Sequence, residues 1–171
     1  KEKKVKNKWG EPSDYLVTGK VSGVDVVILA RHGKKHSISP TKVNYRSNIQ
    51  ALKDEGVTHI LATTAVGSLK DEISPGNLVF PSQFIDHTKL REVTFFHDSV
   101  IHTSMSTPFS AYLRDLLCKN AKRLKFPFNT DVTVITIEGP RFSTKAESLV
   151  FRNWGADIIN MSTYPEVILA N

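Results

Sequence analysis

The sequence predicts an α/β layered domain in which helices flank a mixed, largely parallel central sheet, and two patterns carry that expectation. Short β-rich apolar runs alternate with amphipathic stretches of about three helical turns, the pattern of sheets whose strands are joined by helical crossovers. Two of the runs, ending at Ile137 and at Met161, break into polar turn residues followed by helix starts, which is where open α/β sheets build ligand sites. At 171 residues, 40% hydrophobic and 23% charged, the chain is long enough for a single domain over 1–171 with its own core.

Taken in order, Asp14 to Thr18 and Val24 to Ala30 read as strands with a hairpin around Val21-Ser22-Gly23. The second is a nearly continuous apolar run of the kind buried on both faces. Between Asn44 and Glu55, Tyr45, Ile49 and Leu52 recur at helical spacing, and Gly56 supplies a left-handed stop. His59 to Thr63 and Leu78 to Pro81 are expected strands, while 82–107 has no period and reads as loop or irregular strand. Phe109, Tyr112, Leu113, Leu116 and Leu117 form one apolar stripe of a second helix. Val132 to Ile137 is the next strand. The helix from Thr144 is expected to turn Ala146, Leu149, Val150 and Trp154 inward and to end at Gly155, and Asp157 to Met161 closes the series as a strand. Thr144-Lys145-Ala146-Glu147 and Thr163-Tyr164-Pro165-Glu166 both fit a capping box, the second reinforced by Pro165 in the first turn.

The net charge of +6 invites a nucleic-acid reading, but residues 1–8 carry five Lys against one Glu, which leaves the body close to neutral. A solvated basic tail over 1–8 explains the charge, and without an aromatic-studded basic stripe no nucleic-acid partner is expected. No apolar run has the length of a membrane span, and the Lys-rich start lacks the apolar stretch of a signal peptide. A soluble protein of the cytoplasm, or of cytoplasm and nucleus, is therefore expected, with no membrane partner. Cys118 is the only cysteine, which excludes an intrachain disulfide and a Cys-based zinc cluster. Its neighbours Leu116, Leu117 and Ala121 make it a buried helix thiol.

Three predicted strand ends offer anion-binding groups. Arg31 and His32 follow one run and precede Gly33. Thr63, Thr64, Ala65 and Gly67 end another, with hydroxyls and a glycine that lets backbone amides approach a ligand. Ser162 and Thr163 stand between the last strand and a helix N-terminus. Singly each has an ordinary explanation, since Arg-His pairs are usually solvated and Thr-Thr pairs usually pack in strands. Their convergence points to a phosphate-like ligand. No Gly-x-Ser-x-Gly elbow supports a serine hydrolase. A zinc site at His32 and His36 would want both on one helix and a third ligand, and neither is evident, so no metal is expected.

Six motifs in order, Ala30 to Gly33, Pro40 to Tyr45, Thr63 to Ser68, Gln83 to Asp86, Thr136 to Phe142 and Asn160 to Glu166, resemble those of the trimeric purine nucleoside phosphorylases, and most closely the branch that cleaves 5′-methylthioadenosine. The resemblance runs from about Gly10 to Ala170 and implies a nucleoside phosphorylase-like fold, a homotrimer, and reversible phosphorolysis of a purine nucleoside with inorganic phosphate as co-substrate and no cofactor. Carried over by motif, Arg31, His32, Thr64, the backbone amide of Ala65 and Ser162 would hold phosphate. Met161 would lie along the ribose, Phe142 would pack on sugar or purine, and His102 would sit near the 5′ end. Ser143 bears on specificity: phosphorylases of 6-oxopurines carry a Glu after the equivalent Phe to accept the purine N1 hydrogen, which adenine lacks, so a neutral Ser fits a 6-aminopurine. Capping of the following helix is the alternative role for Ser143. Ser162, where the methylthioadenosine branch usually has Thr, resembles the 6-oxopurine enzymes. The likeness is to the central part of those enzymes. A Gly-rich phosphate turn before Gly10, and base-binding carboxylates after Asn171, fall outside the chain, and no general acid for the leaving base is visible. The catalytic residue is thus unassigned, and the competing expectations are a 6-oxopurine nucleoside phosphorylase and a catalytically silent, truncated phosphorylase-like protein.

Overall fold

A computed structural model describes residues Lys1–Asn171. Two sheets and four α-helices make up the chain. The first sheet is a small antiparallel one, β1 (Glu2–Lys3), β2 (Leu16–Val21) and β3 (Val24–Ile28), in that order. The hairpin falls where the sequence places it: Ser22 and Gly23 both have positive φ, 48° and 84°, the backbone a two-residue turn needs to match the strand twist. The lysines of the basic tail are exposed, but the tail is not free, because Glu2 and Lys3 pair with Val17 and Leu16, and ion pairs run from Lys3 to Glu55 and from Glu2 to Lys34. Nor is β3 buried on both faces, since Val24 and Ile28 are exposed on a strand whose only ladder partner is β2.

The second sheet has the order β4 (Gly67–Ser68), β7 (Ile158–Asn160), β6 (Phe128–Ile137), β5 (Leu78–His87). β5, β6 and β7 are parallel and β4 is antiparallel, so the sheet is mixed and largely parallel as expected. Helix α2 (Ala111–Arg123) joins β5 to β6, and α3 (Lys145–Asn153) joins β6 to β7, two consecutive crossovers between neighbouring strands. The expected strand at Leu78 runs six residues past Pro81, through a register shift around Pro81 that accommodates a residue without an N–H. The expected strand over 59–63 is absent. These residues find no ladder partner and are mostly exposed, and pairing with β7 begins only at Gly67.

β6 is the centre of the core, and its alternation serves both faces. Val132 and Val134 pack with Ile73 and Ile158, whereas Ile135 and Ile137 pack with Leu69, Phe151 and Ala156. A third cluster ties α1 (Tyr45–Asp54), through Tyr45 and Ile49, to Leu169 of α4 (Thr163–Ala170). α1 starts at Asn44, whose side chain accepts from the Ser47 amide, and stops before Gly56 at φ 77°. The expected apolar stripes prove wider than the contacts they make. On α2 only Ala121 is buried while Tyr112 and Leu116 are exposed. On α3 Phe151 is the buried residue, and Ala146, Leu149, Val150 and Trp154 lie outward. Cys118 is half-buried on α2.

The two capping boxes divide. Thr144 accepts from the Glu147 amide and Glu147 accepts from the Thr144 amide, a complete box. At α4 no side chain caps the start, Tyr164 is extended at φ −102° and ψ 136° ahead of a cis Tyr164-Pro165 bond, and Glu166 faces elsewhere.

Candidate functional site

Where Glu166 goes defines the site. Its Oε1 and Oε2 accept from Arg31 Nε and Nη2 at 2.7 and 2.8 Å, a bidentate pair in which both side chains are only 15% exposed. Arg31 Nη1 donates to the Thr63 carbonyl at 3.1 Å. Burial alone would lower the basicity of this guanidinium, but the hydrogen bond and charge of Glu166 outweigh it and raise it. Beside this pair, Ser162 Oγ donates to Thr64 Oγ1 at 3.0 Å, and Thr64 Oγ1 in turn donates to the Ala65 carbonyl at 3.2 Å. Ser162 thus bonds Thr64 directly, and Arg31 reaches the same neighbourhood through the Thr63 carbonyl and Glu166, so that it is formed by the segment after β3, the segment before β4 and the segment after β7. Three of the five N–H donors of Arg31 are used, which leaves one on each terminal nitrogen.

The other expected residues are less tightly gathered. His32 follows Arg31, but its Nδ1 donates to the Ile38 carbonyl at 2.8 Å and its ring lies 4.7 Å from that of His36, so its contacts are with the turn that follows it. Met161 is half-buried over the Leu69 cluster and closes on Gly139, where an added Cβ would come within 2.5 Å of its Sδ. Gly139 also has φ 72°, the left-handed region that favours glycine, and an added Cβ there would push the flexible Met161 side chain aside. Phe142 is 85% exposed. Ser143 does not cap the helix, because Thr144 does; its Oγ lies 2.9 Å from Ser148 Oγ. Both serines border a cleft of about 640 Å³, flanked by Ser68, Lys70, Lys145 and Arg152. His102 is exposed in the irregular segment ahead of α2, and no hydrogen bond ties it to the site.

Behind the neighbourhood lies a network that sequence reasoning missed. Glu138, just past β6, accepts from Thr41 Oγ1 at 2.6 Å, from the Lys89 and Leu90 amides, and from Arg91 Nε at 3.3 Å. Arg91 also donates to the Tyr45 hydroxyl and to the carbonyls of Tyr164, Ile137 and Glu138. Burial alone would raise the Glu138 carboxyl, yet these donors override it and hold it at about 2, below the ordinary 4.5. Burial pushes the Tyr45 phenol up to about 12. Tyr164 likewise reaches about 12, through burial and then the charge of Asp86. Glu166 was legible only as a capping residue, and Arg91 lies in the stretch without a period. The Glu138-Gly139-Pro140 turn was the one local signal.

The family model of the phosphorylase superfamily matches residues 1–171. An S-methyl-5′-thioadenosine phosphorylase of Xenopus tropicalis is 56% identical over 176 residues, covering 99% of this chain and 63% of the relative. That of Drosophila melanogaster is 51% identical, with 99% and 61% covered. Among solved structures, the methylthioadenosine phosphorylase of Schistosoma mansoni in complex with adenine superposes at a TM-score of 0.96 with 41% identity, over 99% of this chain and 69% of that one. A methylthioadenosine phosphorylase from an antarctic soil metagenomic library gives 0.97 and 42%, over 99% and 61%. The chain thus spans about three-fifths of the length of the curated relatives it matches.

The Glu138 network carries a pH consequence. A carboxyl held below its unfolded value adds stability that is complete above about 4.5 and is lost as pH falls toward about 2. Glu138→Gln is expected to cost about 2 kcal/mol at pH 7 and to flatten the acid limb in that window, as read by urea denaturation across pH. Glu147, also held at about 2, by Arg141 and the Thr144 amide, should preserve part of that limb. A variant as stable as the parent at pH 7, with the same acid limb, contradicts the assignment.

Proposed function

The chain belongs to the phosphorylase superfamily, and from that premise we propose that the protein catalyses phosphorolysis of 5′-methylthioadenosine to adenine and 5-methylthioribose 1-phosphate. One observation carries the reading: the three segments that hold the residues expected at phosphate are tied together, Ser162 bonding Thr64 directly while Arg31 bonds the carbonyl of Thr63, next to Thr64 and Ala65, and the carboxylate of Glu166, four residues after Ser162. The names of relatives at 51% and 56% identity support the nucleoside, as does the neutral Ser143.

In this reading phosphate enters between the free N–H groups of Arg31 and the Thr64 and Ser162 hydroxyls, with the Ala65 amide and His32 at its rim. A phosphate oxygen attacks the anomeric carbon as the bond to the purine breaks, so positive charge develops on the sugar beside a fixed anion. That placement lowers the barrier electrostatically without a covalent enzyme intermediate. Met161 supports the sugar, with Phe142 and Ser143 on the base side and His102 toward the 5′ substituent. The proposal includes assembly as a homotrimer.

Arg31→Ala is expected to weaken phosphate binding by about 2–5 kcal/mol, measured by calorimetric titration with inorganic phosphate. Parental affinity in that variant would remove Arg31 from the site. With equal phosphate, 5′-methylthioadenosine should be cleaved faster than inosine, because a site built on one hydrogen-bond pattern rejects a mismatched base by up to about 10⁴-fold. Faster cleavage of inosine assigns the chain to 6-oxopurines instead. Light scattering should give three times the chain mass; a monomer at micromolar concentration refutes the trimer.

A further inference from the structure

Arg91 touches none of the residues expected at phosphate, yet every one of its N–H groups is committed. Its side chain has no solvent exposure. Nε donates to Glu138 Oε1 at 3.3 Å, Nη1 to the Tyr45 hydroxyl at 3.2 Å and to the Tyr164 carbonyl, and Nη2 to the carbonyls of Ile137 at 3.2 Å and Glu138 at 2.9 Å. Those acceptors belong to three places: the end of β6, the start of α1 and the start of α4.

Each place leads into the site. Glu138 precedes Gly139, which packs against Met161. Tyr45 donates its hydroxyl hydrogen to the Pro40 carbonyl, next to Thr41, whose hydroxyl bonds Glu138. Tyr164 is extended, so its carbonyl lies outside the helical ladder, and two residues later Glu166 holds Arg31 through two oxygens. A buried cation with all donors paired has one low-energy arrangement, because any displacement leaves a polar group unsatisfied in a medium without water.

Building on the phosphorolysis reading, we infer that Arg91 is a positioning residue: by pinning the Tyr164 carbonyl to the end of β6 it fixes Glu166, and through Glu166 the guanidinium of Arg31 that meets phosphate. Lysine keeps the charge but concentrates its donors at one atom, so it cannot span the same acceptors. The role is thus specific to the guanidinium fork and not to positive charge at that point.

The test follows the Arg31 Nε–H signal by NMR in the full chain, assigned by its loss in Arg31→Lys, together with steady-state kinetics. In Arg91→Lys the Arg31 Nε–H should exchange with solvent at least about tenfold faster, and KM for phosphate should rise about ten- to a hundredfold while KM for the nucleoside stays within about twofold. An unchanged Arg31 signal in a folded Arg91→Lys overturns the inference. So does a fall in kcat alone, which is what loss of stability without loss of positioning would give. Should Arg91→Lys fail to fold, Tyr45→Phe removes one acceptor and leaves the cation in place, and Arg31 protection equal to the parent overturns the inference equally. A parent chain without phosphorolysis, whose Arg31 signal still responds to Arg91→Lys, refutes the functional reading and leaves the positioning intact.

Discussion

A guanidinium sealed from solvent has to find all its partners inside the protein, and that requirement on Arg91 organises the end of the sheet on which the site depends. Removing such a charge from water costs several kcal/mol before any partner is found, so the arrangement persists only if nearly every donor is met. The five acceptors do this, and they also join the β6 end to the starts of α1 and α4. Glu138 supplies the counter-charge, and it is itself held by Thr41 and the Lys89 and Leu90 amides. Charge, register and loop placement are therefore one constraint.

The Arg31–Glu166 pair extends that constraint to the surface. A free arginine beside two hydroxyls would offer phosphate more net charge but no fixed direction. Bound to Glu166 through Nε and Nη2, it presents a defined edge, and the carboxylate prevents collapse onto other groups. If the proposed phosphorolysis holds, the pair trades some attraction for geometry, a useful exchange where an anion must stand at a set distance from a reacting carbon. The Ser162–Thr64 contact likewise fixes the two hydroxyls relative to each other.

What the sequence disclosed and what it concealed divide along physical lines. Local signals survived: the Ser22-Gly23 turn, the Thr144 capping box, the Gly56 stop and the runs that became β6 and β7 are each decided within a few residues. Features that need a distant partner did not. Periodicity told that 59–63 is apolar but not that no strand lies beside it, and it could not tell how narrow the contact of α2 or α3 would be. Thr163 to Glu166 has the composition of a capping box, but Arg31, 135 residues away, offers Glu166 a charged partner stronger than a backbone amide. Of the candidate site, the neighbourhood of Arg31, Thr64 and Ser162 was legible because polar groups gather where segments leave the sheets. Glu138 was visible as part of the turn after β6 but its partners were not, and Arg91 was hidden because a buried charge leaves no pattern until its partners are known.

Ser143 shows how a fold can permit a charge that a ligand forbids. It stands at the start of α3, where the helix dipole favours negative charge, and Lys145 and Arg152 border the same cleft. The fold would accept a carboxylate there. The position instead holds a hydroxyl paired with Ser148, so no carboxylate stands at 143 beside those cations. A base with hydrogen at N1 has something to give a carboxylate, whereas one with a lone pair at N1 would face an anion with no donor between them, at a cost of about 1–3 kcal/mol or more. Helix stability supplies no reason for a neutral side chain at 143, whereas under the proposed phosphorolysis a 6-aminopurine would supply one, and it is on that proposal that the charge omitted at this helix start bears on the choice of base.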